Sequence, residues 1–184
     1  QSRLAHTGAI SENLEACIRS RMPQISSAKP AIASHNQRIH VRIVKDRVVI
    51  SLDSSGLLLF KRGLKQDVGP APIRETLAAA ILKLAGYDGS QTLLDPMCGS
   101  GSFSLEAAMI ARNMPAGAYR QFAFINWPAF REAHWQHLKQ TALRKIRIEQ
   151  NAKVLASDVV KKRIAALKKI ADQFDLSQVI NVAH

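Results

Sequence analysis

Residues 93–103 read LLDPMCGSGSF: a short apolar run, one acid, then two glycines with a serine between them. Where a buried strand gives way to a helix, glycines let the backbone turn sharply and approach a ligand closely, because no Cβ stands in the way. The helix that follows presents its free N–H groups to the same crevice. In an open parallel sheet that crevice lies beyond the carboxyl ends of the strands. Asp95 stands at this end, Gly99 and Gly101 supply the turn, and Ser102 or the residues just before it open the helix.

The pattern invites comparison with the G-x-G-x-x-G loop that feeds a pyrophosphate to a helix start, but Ser104 occupies the place of the third glycine. Charge weighs more. A carboxylate at Asp95 repels pyrophosphate and attracts an ammonium. S-Adenosylmethionine carries an amino-acid ammonium and a sulfonium and no phosphate, so Asp95 favours that cofactor over a dinucleotide. A phosphate-binding G-x-x-x-x-G-K-[ST] loop does not occur. A second acid is expected at the end of the next strand, accepting from ribose hydroxyls. Asp158, after "KVLAS", has that place, much farther along than the roughly 20 residues of a minimal unit. The segment from about Ala116 to Glu149 is therefore expected to be an insertion carrying helix. Capping the next helix is the alternative role for Asp158.

Other chemistry-bearing residues divide between two readings. Cys98 lies near a helix start, where a thiolate is stabilised; packing under the cofactor is the expectation, nucleophilic attack the rival. Glu75 and Glu106 can face the cofactor amine or pair with a neighbouring arginine. His134 and His137 share a helical spacing, but no acid or cysteine completes a ligand set, and no metal is expected.

The elements that must position these residues follow from periodicity. Ser11 caps a helix over Glu12 to Met22, with Leu14, Ile18 and Met22 in step. A loop is expected over Gln24 to Asn36. From Arg38 the period becomes two: Ile39, Val41 and Ile43, a turn at Lys45-Asp46, then Val48, Ile50 and Leu52. After Ser54-Ser55-Gly56 comes Leu57 to Phe60, giving two or three antiparallel strands. Arg38, His40 and Arg42 share the opposite face, which suits phosphates or plain solvent. Arg74 to Leu84 reads as helix, Thr92 to Leu94 as strand, and Ser102 through Ala111 as helix. Tyr119, Phe122, Phe124 and Trp127 precede a long helical region over Ala129 to Gln150; burial beneath it is expected of them, with base stacking the alternative. A strand ending in Asp158, a helix over Lys161 to Phe174 and a strand over Gln178 to Val182 complete the chain. The order predicts an α/β fold with a parallel sheet, right-handed crossovers and helices on both faces.

The 184 residues suit one domain and an appendage. Lys and Arg number 26 against 14 acids, a formal charge of +12, so a polyanion is the expected partner and nucleic acid the first to consider. Hydrophobic residues at 47% and charged ones at 22% describe a globular chain rather than a disordered one. Two cysteines make no disulfide framework, no signal peptide opens the chain, and no apolar run reaches membrane length. A reduced cytoplasmic setting, away from membranes, is expected. The absence of Met at Gln1 suggests a processed chain, an excised domain or a longer protein.

Taken together, "LLDPMCGSGSF…EAAMIA", "APIRETLAAAILKLAG", "VVISLDSSGLLLFKRGL" and "LAHTGAISENLEACI" resemble one group. It is the RNA methyltransferases that join a THUMP RNA-binding domain to a class I S-adenosylmethionine-dependent domain, above all those acting on guanine N2 of 23S ribosomal RNA. The resemblance implies that residues 1–68 hold the end of the THUMP region and its linker, and 69–184 the first half of the methyltransferase domain. It implies that Asp95 and the loop Pro96, Met97, Cys98, Gly99, Ser100, Gly101 and Ser102 hold the methionine end of the cofactor, and that Asp158 binds ribose. Members of the group often carry another acid two residues further on, where this chain has Val160. They hold the target amine in an Asn/Asp-Pro-Pro-Tyr-like loop that is absent here, so the catalytic group is expected outside this sequence. Transfer-RNA guanine-N2 methylation, DNA adenine-N6 methylation and non-catalytic RNA binding are the rival functions.

Overall fold

A computed structural model describes residues 6–22, 37–65, 72–148 and 153–184. They form two compact units, parted at Gly56/Leu57, with 122–126 belonging to the first. The expected loop over Gln24 to Asn36 and the expected division at 68/69 lie outside the described residues.

The first unit pairs a helix with a hairpin. Helix α1 spans Thr7–Arg21 and starts earlier than Ser11, because His6 is its N-cap and its Nδ1 accepts from the Ala9 N–H at 3.1 Å. Strands β1 (Ile39–Val44) and β2 (Arg47–Leu52) pair antiparallel, Val41 opposite Ile50 and Arg42 opposite Val49. Lys45 and Asp46 both take positive φ, 49° and 59°, as a two-residue hairpin turn requires. Ile10, Leu14 and Cys17 of α1 line an apolar groove with Val41, Ile43, Val48 and Ile50. The alternation read from the sequence thus holds, with His40, Arg42 and Arg47 exposed on the other hairpin face. Residues 57–60 do not add a third strand. They bend and turn, and the Leu57 and Leu58 carbonyls accept from the Arg120 guanidinium instead of a strand partner.

The second unit holds the parallel sheet. Its elements are α2 (Glu75–Leu84), β3 (Leu93–Asp95), α3 (Ser102–Ala111), α4 (Glu132–Leu143), β4 (Val154–Ser157), α5 (Lys161–Gln173) and β5 (Ile180–Ala183). The order is β3-β4-β5, with Asp95 beside Ala156 and Ala156 beside Val182. Val154, Ala156, Ile180 and Val182 face a core built with Leu105, Met109, Ile164, Leu167 and Leu176. Helix α3 is buried on nearly every side; most of its residues are apolar or small, and its polar Ser102, Ser104 and Glu106 are each hydrogen-bonded within the fold.

One expectation needs correction. Among the described residues the helices cover one face of this sheet, while Leu94, 67% exposed, Leu155 and Asn181 look outward from the other. Crossovers of one hand made in the same direction, as the order β3-β4-β5 requires, deliver their helices to the same side; the opposite face is reached only where strand order reverses. Of the four aromatics, Tyr119 is 41% exposed while Phe122, Phe124 and Trp127 are half-buried. Tyr119 sets its ring edge-on to Phe174 at 4.5 Å, and Phe122 stacks on Phe124 at 5.2 Å. Helix α4 has no fully buried residue of its own.

Candidate functional site

The glycine loop hangs from the carboxyl ends of β3 and β4. The Cys98 N–H donates to Ser157 O at 2.9 Å, and Ser157 Oγ donates to Pro96 O at 3.2 Å. Gly101 N–H closes a turn onto Cys98 O at 2.7 Å, and Leu105 N–H starts α3 on Gly101 O. Gly101 is the N-cap at φ 75°, and Gly99 also lies in the left-handed region at φ 54°. A side chain at Gly101 would strike Leu167 Cδ1 at 2.5 Å, so the loop sits directly on α5. A Cβ at Gly99 would meet nothing within 4 Å. The loop is therefore closed beneath Gly101 and open above Gly99.

Asp95 ends β3 half-buried, and its Oδ2 accepts from the Ser104 hydroxyl at 2.6 Å. Ser104 is fully buried and replaces the third glycine of the dinucleotide pattern. Its hydroxyl aims the carboxylate, a role that sequence reading missed although Ser104 had been singled out as a misfit. Met97 is 85% exposed and Cys98 is buried. Burial, then the Asp95 and Asp158 carboxylates, push the Cys98 thiol up to about 11. That removes the thiolate a nucleophile needs at neutral pH and leaves the packing role.

Asp158 is buried, and both of its oxygens are engaged by the protein. Oδ1 accepts from Val160 N–H at 2.9 Å; Oδ2 accepts from Gly99 N–H at 2.9 Å and lies 3.6 Å from Arg163 Nη1. The Val160 N–H first, then the Gly99 N–H and Arg163, hold its carboxyl below the usual carboxylate range. Asp158 therefore braces the glycine loop and the start of α5. A ribose hydroxyl would have to use its remaining lone pairs.

Glu75 and Glu106 are buried and paired rather than turned to solvent. Arg62 donates to both oxygens of Glu106, at 2.9 and 3.3 Å. Burial raises the Glu106 carboxyl against the pull of Arg62. Lys65 lies 3.6 Å from Glu75 Oε1 and donates to Ser102 Oγ at 2.6 Å. Neither Arg62 nor Lys65 was singled out in the sequence, since a basic run after an apolar stretch ordinarily marks a solvated edge. Among the described residues no group of three or more His, Cys, Asp or Glu is arranged to hold a metal, and no helix is long and apolar enough to cross a membrane.

The site's donor set suits an amino-acid moiety. It offers a carboxylate at Asp95, helix N–H groups, and open space above Gly99. A parallel β–loop–α arrangement of this kind defines the class I S-adenosylmethionine-dependent methyltransferase fold, and solved structures share it. SMU.472, solved in complex with SAH, superposes with a TM-score of 0.82 at 27% identity, over 99% of this chain and 48% of that one. A protein from Listeria monocytogenes, described as a predicted N6-adenine-specific DNA methylase, gives 0.77 at 28% identity, over 92% of this chain and 45% of that one. Residues 62–184 match the family described as RMKL-like, methyltransferase domain, and the chain belongs to that family. The ribosomal RNA large subunit methyltransferase K/L of Vibrio campbellii is 46% identical over 121 residues, 65% of this chain and 16% of that protein. The chain thus spans a minor part of that relative and about half of each solved one.

Proposed function

We propose that the protein to which this chain belongs is an S-adenosylmethionine-dependent RNA methyltransferase of the cytoplasm, acting on the exocyclic N2 amine of a guanine in 23S ribosomal RNA. The observation that carries the cofactor reading is the Ser104-aimed carboxylate of Asp95 at the head of an open glycine loop. Relatives described as large-subunit ribosomal RNA methyltransferases, and the basic charge of +12, support RNA as the substrate. When bound, S-adenosylmethionine supplies a methyl group made electrophilic by the sulfonium.

The chain's own residues bind and orient. Asp95 takes the ammonium of the methionine end, and the backbone from Pro96 to Ser102 wraps it. Asp158 sets Gly99 through its N–H and offers its spare lone pairs toward ribose. Val160 contributes no second acid, so ribose recognition falls on fewer groups than in relatives that carry one. The target-amine loop is expected elsewhere in the protein. Alignment of the amine's lone pair with the methyl–sulfur bond is where positioning contributes most.

Methylation of 23S ribosomal RNA lacking the modification, assayed with the complete gene product, is the test. Transfer to DNA adenine and not to RNA would overturn the reading in favour of the second one, which the description of the Listeria relative favours. Calorimetry with S-adenosylhomocysteine and with NAD separates both from a dinucleotide enzyme; NAD binding alone would refute the cofactor assignment.

A further inference from the structure

Beneath the glycine loop lies a buried ammonium to which the cofactor reading gives no task. The side chain of Lys65 is only 4% exposed. Its Nζ donates to Ser102 Oγ at 2.6 Å and to Ser100 Oγ at 3.3 Å, and stands 3.6 Å from Glu75 Oε1. Ser102 Oγ in turn donates to Ile73 O at 3.0 Å, so toward Lys65 it acts as an acceptor. The two serines flank Gly101, the left-handed residue on which the loop turns into α3. One cation therefore holds both shoulders of that turn and ties them to the first turn of α2.

We infer that Lys65 is a positioning residue for cofactor binding: it fixes the Ser100–Ser102 backbone in the conformation that receives the amino-acid end of the ligand. This rests on the cofactor reading above. Desolvating an ammonium is costly, and stability alone is served as well by an apolar side chain of similar volume. What an apolar side chain cannot do is hold two hydroxyls at fixed points on either side of a glycine that has no side chain of its own. Burial pulls the lysine's pKa down, and the Glu75 carboxylate beside it opposes that pull. Arg62 and Glu106 form a separate pair with two hydrogen bonds of their own, and Arg62 is thus occupied elsewhere.

The test uses the complete gene product and two ligands. S-Adenosylhomocysteine has the amino-acid end; 5′-methylthioadenosine has the same nucleoside and sulfur without it. Lys65→Met is expected to weaken S-adenosylhomocysteine binding about tenfold or more, the scale of one lost charge-assisted hydrogen bond, and to leave methylthioadenosine binding unchanged. Lys65→Arg should recover most of the loss, and Glu75→Gln should reproduce part of it. If Lys65→Met does not fold, the Ser100→Ala/Ser102→Ala pair, which removes the hydroxyls and keeps the lysine, must show the same selective loss. Equal weakening of both ligands, or unchanged S-adenosylhomocysteine binding, overturns the assignment. Failure of the unaltered protein to bind S-adenosylhomocysteine defeats the cofactor reading itself, and this inference with it.

Discussion

Gly99 and Gly101 share the left-handed region but meet different surroundings, and substitution separates them. Placing a Cβ in that region costs roughly 1–2 kcal/mol at either position. Gly101→Ala adds a collision with Leu167, so it should lower the melting temperature more than Gly99→Ala does. Gly99→Ala instead projects into the open side of the loop, and calorimetry should show it to be the more harmful of the two to S-adenosylhomocysteine binding per degree of melting lost. Cys98 makes an alkaline prediction. Its folded thiol is raised from 9.0 to about 11, so the stability tied to it is complete below pH 9.0 and lost as pH rises through about 11. The stability difference between the unaltered protein and Cys98→Ala, followed by denaturant titration, should shrink across that window. A difference that stays flat would show that the thiol is not shielded.

At the scale of elements, α5 carries the loop. Ile164, Leu167 and Ala171 are its buried stripe, and Leu167 is also the surface on which Gly101 rests. Leu167→Ala should cost about 2–5 kcal/mol in equilibrium unfolding, the usual range for a buried leucine. The hairpin has two faces because its side-chain period is two. Its apolar side shares the groove with α1, while Arg42 and Arg47 stand exposed on the other side. Arg42→Glu combined with Arg47→Glu should weaken RNA binding in a filter or mobility assay and leave the melting curve unmoved. Unaltered affinity would mark this face as merely solvated.

For the molecule as a whole, the charge of +12 sets the expected response to salt. If six or more phosphates are neutralised, RNA affinity should fall about a thousandfold between 50 and 200 mM salt. A shallow dependence would mean that the basic residues serve solubility instead. S-Adenosylhomocysteine is small and near neutral overall, so its affinity should change little over the same range. The two titrations, run side by side, separate the field of the molecule from the chemistry of the loop.

The sequence by itself determined what depends on near neighbours. The helices over 75–84, 102–111 and 161–173, the hairpin with its turn at Lys45-Asp46, and the loop with Asp95 at its head all follow from periodicity, turn chemistry and one charge argument. Each of these signals acts over a few residues, where the chain's own geometry fixes who meets whom. Tertiary structure alone decided the rest. Ser104 aims Asp95, Asp158 braces Gly99 from 59 positions away, and Lys65 reaches Ser102 across 37. The same holds for the exposure of Leu94 on the outer sheet face and for Tyr119 turning to Phe174. These pairings arise from strand order, register and crossover direction, and a buried charge is tolerated only once such distant partners have been brought within hydrogen-bond reach.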